Sequence, residues 1–169
     1  MLLLSGQRGQ TLHLLDIRNM SVSELRVSFR IADPLKTSRP GDHLSELVFV
    51  AYPTDRRLCV VTSIVCYLER TCAFRGPFTG FFLTTKPPIR VASWDTLRRW
   101  TKDSMRSAGI DLNIFSPHST RSASTSKAAL KLPLATIIST VGWSRESTFT
   151  KFYKRPISPL GHFSEAILS

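Results

Sequence analysis

Cysteine, acidic side chains and long apolar runs are what this chain of 169 residues has least of. Its three cysteines, Cys59, Cys66 and Cys72, stand seven and six residues apart, with no CxxC pair and no histidine beside them. That spacing argues against a zinc site. The opening Met1–Gly6 is too short for a secretory leader and no basic segment precedes its apolar residues. An odd cysteine count without a leader predicts free thiols in a reducing compartment, acting as small buried apolar side chains. No stretch approaches the run of about 20 apolar residues that crosses a bilayer, so no membrane partner is expected. Acidic residues number 12 and form no cluster. No metal and no cofactor are expected.

What is present is positive charge. Lys and Arg number 23, for a formal net charge of +11. Residues 1–85 carry 10 basic and 7 acidic side chains, a net of +3; residues 86–169 carry 13 and 5, a net of +8. A basic surface gathered in one half attracts a polyanion, and nucleic acid is the usual one. Charge alone does not choose between DNA, RNA and simple solubility. The apolar fraction of 42% suits one globular domain over residues 1–169 with one core.

Periodicity predicts a mainly helical α+β chain with a small antiparallel sheet near the N-terminus. Leu12, Leu15 and Ile17 predict a helix after Gly6. Leu25, Val27, Phe29 and Ile31 alternate with Arg26, Ser28 and Arg30, which predicts a strand with a wet, basic face. Residues 44–51 predict its partner, placing Lys36 in the hairpin connection. Val61, Ile64, Val65 and Leu68 fall at helical spacing, and Phe81-Phe82-Leu83 reads as a short buried strand or turn. Ser93 is placed to cap a helix carrying Leu97, Trp100, Met105 and Ala108 on its inner face. Ser116-Pro117 is a helix start for a segment with His118 and Arg121. Pro133 opens a further helix through Ile137, Ile138 and Val141, which Gly142 ends. Ser144 is placed to cap the last, with Phe149, Phe152 and Tyr153 on it.

Four stretches carry chemistry. In PHSTRSASTSKA, His118 and Arg121 share one helix face near an N-terminus, where the helix dipole favours an anion. Arg adds a planar fork that grips two phosphate oxygens. In VGWSRESTFTKFYKRP, Trp143 offers a single indole donor and Tyr153 follows ten residues later among Lys151, Lys154 and Arg155. Arg8 sits just after Gly6, and Lys36 stands in DPLKTSRPG. Each feature alone also suits a solvated face, a core aromatic or an edge lysine.

In this order the motifs resemble the tyrosine recombinase (phage integrase) family across nearly the whole chain. Arg8 after a small-residue turn, hairpin Lys36, the HxxR of His118 and Arg121, the GW of Trp143, and Tyr153, which stands 32 residues beyond Arg121, follow one another in family order. HSTRSASTSKA followed by GWSRESTFTKFY is similar, more narrowly, to recombinases of DIRS-type retroelements of eukaryotes. The resemblance implies an integrase-like catalytic core that breaks and rejoins double-stranded DNA without a cofactor. Tyr153 would attack a DNA phosphorus, leaving a 3′-phosphotyrosyl bond and a free 5′-hydroxyl. Arg8 and Arg121 would clamp the non-bridging oxygens, Lys36 would protonate the leaving oxygen, His118 would accept the tyrosine proton, and Trp143 would bond a phosphate oxygen. Lys127, Lys131, Arg145, Lys151, Lys154 and Arg155 are candidate DNA-backbone contacts. His13, His43 and His162 receive no role and are expected at the surface. A homo-oligomer on DNA, a tetrameric synapse in the family, and action in the nucleus follow by resemblance. The family carries an acid three residues after its first Arg where this chain has Thr11, a change expected to touch local stability more than chemistry. It also has helices and a DNA-clamping domain ahead of that Arg, so an N-terminally truncated catalytic domain is expected. The alternatives are a catalytically inactive DNA-binding relative, a relaxing topoisomerase of similar chemistry, and an RNA-binding module.

Overall fold

The computed structural model describes residues 1–31 and 46–155. Its elements are α1 (Leu2–Ser5), α2 (Gly9–His13), β1 (Met20–Val22), β2 (Arg26–Arg30), β3 (Glu46–Val50), α3 (Val60–Arg75), α4 (Trp94–Ser107), α5 (Ser119–Ala128), α6 (Leu134–Val141) and α7 (Glu146–Phe152). The chain is mainly helical with one three-stranded antiparallel sheet near the front, ordered β1-β2-β3, the class that the sequence predicts. No described helix is long and apolar enough to cross a membrane.

Alternation fixes the sheet. Val27 and Phe29 of β2 stand opposite Phe49 and Leu47 of β3, and all four are buried. Phe29 meets Phe49 and Phe81 edge to face, at 6.5 and 5.2 Å between ring centroids. Each such ring, fully buried, contributes about 1.5–3 kcal/mol. Leu12, Leu15, Val61 and Ile64 close this core from the helical side. The outer face of β2 is less wet than predicted. Ser28 is buried, because a short side chain on the central strand is shaded between Ser21 and Val48. Leu25, predicted inside, is 72% exposed, because it precedes β2 in the turn that Ser23 closes onto Arg26. The short β1 carries no alternation signal and was not foreseen.

The helix predicted after Gly6 shortens to α2, since the following backbone pairs elsewhere. The Leu15 carbonyl accepts from the Phe81 N–H at 2.7 Å, and the Ile17 N–H donates to the Thr79 carbonyl at 2.8 Å. Helix α3 runs on to Arg75 because its inner face turns polar: Thr71 and Arg75 are both buried. The Arg75 guanidinium donates to the Gly80 and Phe81 carbonyls at 2.8 and 3.1 Å, holding Phe81 in the core. Ser93 caps α4 as predicted, accepting from the Thr96 N–H at 3.2 Å, but Ala108 lies past the helix and is exposed. Cys59 is buried and Cys66 half-buried; Cys72, expected inside, lies exposed on α3.

A second, smaller cluster gathers Ile137 and Val141 of α6 with Trp143, Phe149 and Tyr153. Three predicted boundaries shift here. Helix α5 begins at Ser119, so His118 is its first flanking residue, and no side chain of Ser116 caps it. Helix α7 starts after Arg145 without a Ser144 cap and ends at Phe152, which leaves Tyr153 just beyond it.

Candidate active site

Gly6 adopts φ 60°, ψ 14°, a left-handed conformation that ends α1 and that side chains other than hydrogen disfavour. A Cβ there would also lie 2.7 Å from Val141 Cγ1. The turn is therefore pressed against the end of α6. Buried Gln7 pins it: its Nε2 donates to the Thr140 carbonyl at 2.9 Å, while its Oε1 accepts from the Thr11 hydroxyl at 3.3 Å. Arg8, half-buried, follows at the start of α2. Ser124 of α5 adds a hydrogen bond to the Leu3 carbonyl at 2.6 Å.

Arg121 is 2% exposed, among the largest fully buried side chains described. Its Nη2 donates to the Val141 carbonyl at 3.0 Å. Its guanidinium carbon lies 4.9 Å from the Trp143 ring centroid and 5.6 Å from that of Tyr153, contacts worth about 2 kcal/mol when desolvated. Gly142, at φ 68°, turns the chain so that Val141 can offer its carbonyl to Arg121 while Trp143 covers the same cation. The Trp143 and Tyr153 rings stand 4.6 Å apart. The Tyr153 hydroxyl lies 3.0 Å from His118 Nε2. Tyr153 is 8% exposed, and its polar end reaches His118, a residue open to solvent.

Charge distinguishes this cluster from a core. Burial, and then the Arg8 charge, push Arg121 down to about 10, so it stays a cation at neutral pH. Partial burial of the ring against Tyr153, then the Arg8 and Arg121 charges, hold His118 below the ordinary histidine value. A neutral imidazole can accept a proton. Among the described residues neither Arg8 nor Arg121 pairs with a carboxylate. The Arg121 Nε and Trp143 Nε1 hydrogens are buried without an acceptor, each at a cost of about 1–3 kcal/mol. Two cations and two idle donors around a phenol make a site suited to an anion with several oxygens. Among the described residues no three His, Cys, Asp or Glu side chains converge as a metal-ion ligand set.

Of the predicted site residues, Arg8, His118, Arg121, Trp143 and Tyr153 come together. Lys36, with His43 and His162, lies outside the described residues. Lys127, Lys131, Arg145, Lys151, Lys154 and Arg155 are all exposed, on α5, on α7 or beside them. His13, expected at the surface, is half-buried with Nδ1 3.2 Å from the Ala92 carbonyl. Sequence reasoning missed Gln7 and Ser126. Gln7 gave no signal, because its partner is 133 residues away. Ser126 did: a helix as poor in apolar residues as STRSASTSKA must bury hydroxyls, and Thr125 and Ser126 are both buried. Thr11, where an acid was expected, is buried and satisfied by Gln7, a neutral pair in place of a charge.

No family model matches the sequence, and no curated protein matches it. Solved structures do. The crystal structure of XerA recombinase is similar with a TM-score of 0.71 and 16% identity, over 99% of this chain and 54% of that one. XerH site-specific recombinase bound to difH substrate, in a pre-cleavage complex, gives 0.64 and 12%, over 98% and 42%. The same enzyme bound to palindromic difH substrate, in a post-cleavage complex, gives 0.65 and 12%, over the same shares. The chain thus spans about half the length of the recombinases it resembles. It carries the fold of a recombinase catalytic domain.

Proposed function

We propose that this chain breaks and rejoins DNA strands by site-specific recombination, with Tyr153 as the nucleophile. One observation carries the reading: the Tyr153 hydroxyl stands 3.0 Å from His118 Nε2, within a site where Arg8 and Arg121 have no carboxylate partner among the described residues. The fold shared with XerA and XerH supports it.

In this mechanism Arg8 and Arg121 grip the two non-bridging oxygens of one phosphodiester, where charge sits in the transition state. His118 accepts the phenol proton as the Tyr153 oxygen bonds to phosphorus. The bond from phosphorus to the 5′-oxygen breaks and Lys36 protonates that oxygen. A 5′-hydroxyl then attacks the phosphotyrosine and frees Tyr153. The phosphodiester's energy is kept in the covalent intermediate, so rejoining needs no nucleotide. Trp143 packs the nucleophile and supplies a donor to the phosphate. The exposed cations from Lys127 to Arg155 track the flanking backbone.

A randomised pool of nicked duplexes tests this, with covalent complexes recovered under denaturing conditions. The wild-type chain is expected to retain DNA. Tyr153→Phe is expected to bind the pool with unchanged affinity and retain none. Equal retention by both proteins would sink the assignment, and binding without retention by either would make the chain an inactive relative. Kinship with DIRS-type elements and nuclear action rest on the two motif stretches, and a tetrameric synapse on the family resemblance; the mass of the complex on paired sites tests the last.

A further inference from the structure

We propose that Ser126 is a positioning residue whose buried hydroxyl seats Tyr153 in its own chain's site by bridging the backbone at Tyr153 and Arg155. The inference rests on the reading of Tyr153 as nucleophile. Ser126 lies on α5 and is 4% exposed. Its Oγ donates to the Tyr153 carbonyl at 2.9 Å and accepts from the Arg155 N–H at 2.9 Å. A hydroxyl has one donor hydrogen and two lone pairs, and here the donor and one lone pair hold two points of one short segment.

That segment needs holding. Helix α7 has seven residues and ends at Phe152. The Tyr153 and Lys154 N–H groups both bond back to the Phe149 carbonyl, at 2.9 Å each, which closes the helix without tying it to anything else. Carbonyls at a helix end lack partners within the helix, and Ser126 supplies one to Tyr153. Phe152, Lys154 and Arg155 are exposed. Among the described residues no other hydrogen bond joins the backbone of 153–155 to α5 or α6.

The placement of Ser126 gives the bridge its use. Arg121 and Ser126 lie five residues apart on α5. The cation that would grip the phosphate and the hydroxyl that anchors the nucleophile therefore belong to one rigid element. The Trp143 ring packs against the phenol and His118 meets its hydroxyl; the bridge holds the backbone from which the phenol extends. A misplacement of about 1 Å can cost on the order of 100-fold in rate.

Ser126→Ala removes the bridge and little volume. At saturating nicked duplex its rate of adduct formation is expected to fall at least tenfold, with DNA affinity within twofold of wild type. Ser126→Thr, which restores a hydroxyl, should recover most of the rate. Independently of any activity, the Arg155 amide should exchange its hydrogen at least tenfold faster in Ser126→Ala, while amides of α3 keep their protection. A wild-type rate in Ser126→Ala, an unchanged Arg155 amide, or a loss of affinity as large as the loss of rate would each overturn the proposal. If the wild-type chain forms no adduct, the nucleophile reading falls, and the Arg155 exchange alone then decides whether the bridge exists.

Discussion

The two cores of this molecule are built for different ends. The front core, between the sheet and α3, buries aliphatic side chains and phenylalanines, and its buried cation, Arg75, is satisfied by the Gly80 and Phe81 carbonyls. The rear cluster, from α5 to Tyr153, buries Arg121, Thr125 and Ser126 beside its apolar residues and leaves two donors idle. Charge divides the same way. Asp16–Arg18, Arg26–Glu46, Asp55–Arg57 and Arg106–Asp103 are the ion pairs among the described residues, and none lies beyond Arg106. Natural domains are stable by about 5–15 kcal/mol in total, so idle buried donors are a sizeable cost. The front holds the chain together, and the rear gives up stability for a place to put an anion.

Phe29→Ala and Arg121→Met would separate these ends most sharply. Phe29→Ala is expected to lose about 3–5 kcal/mol in denaturant unfolding, with adduct formation per folded molecule little changed in the cold. Arg121→Met replaces a buried, unpaired cation with an apolar chain of similar length. Burying a cation without a counter-charge is costly, and relief of that cost offsets the lost Val141 hydrogen bond and ring contacts, so its Tm should change little, while adduct formation falls by at least about 100-fold. A large loss of Tm in Arg121→Met would erase the distinction between the regions.

A smaller effect tests the charge of the site without touching DNA. Inorganic sulfate is expected to raise the Tm of the wild-type chain in proportion to the logarithm of its concentration, as a ligand of the native state does. Arg8→Gln should lose most of that rise. An equal rise in both proteins would mean that sulfate acts on the whole surface.

The smallest effects are two separate pH windows. The Asp16 carboxyl is held at about 2, chiefly by its hydrogen bonds with Arg18. Its folded value is depressed, so its contribution is full above about pH 4 and lost as pH falls towards 2. Asp16→Asn should flatten that window. The His118 ring is also depressed, by burial and by Arg8 and Arg121. Charging it opposes folding, so its effect begins only as pH drops below the ordinary histidine value of about 6.5. Its NMR titration should have a midpoint below that value and move upward in Arg8→Gln. The acid limb of the kcat/KM profile should have its midpoint below the ordinary histidine value.

Much of the rear site was legible because its residues carry unusual side chains at regular intervals. His118 and Arg121 stand three apart, Trp143 follows a helix-ending glycine, and Tyr153 closes the run. The front sheet was legible through alternation at Val27 and Phe29. What escaped was tertiary. Gln7 and Ser126 act through backbone groups far along the chain, and nothing local marks a carbonyl as needing a donor. Ser28 and Cys72 were placed on the wrong side because period alone does not say which strand is central or where a helix face leaves the core. The start of α5 and both ends of α7 differ from the expected positions by a residue or more, since residue type points to side-chain caps at Ser116 and Ser144 and the chain uses neither.

The most direct test is to digest the denatured adduct and locate the nucleotide by mass spectrometry. The account predicts a 3′-phosphoryl nucleotide on the peptide containing Tyr153, and on no other tyrosine. A nucleotide on Tyr52 or Tyr67, or a strand cut with no bond to protein, would contradict it.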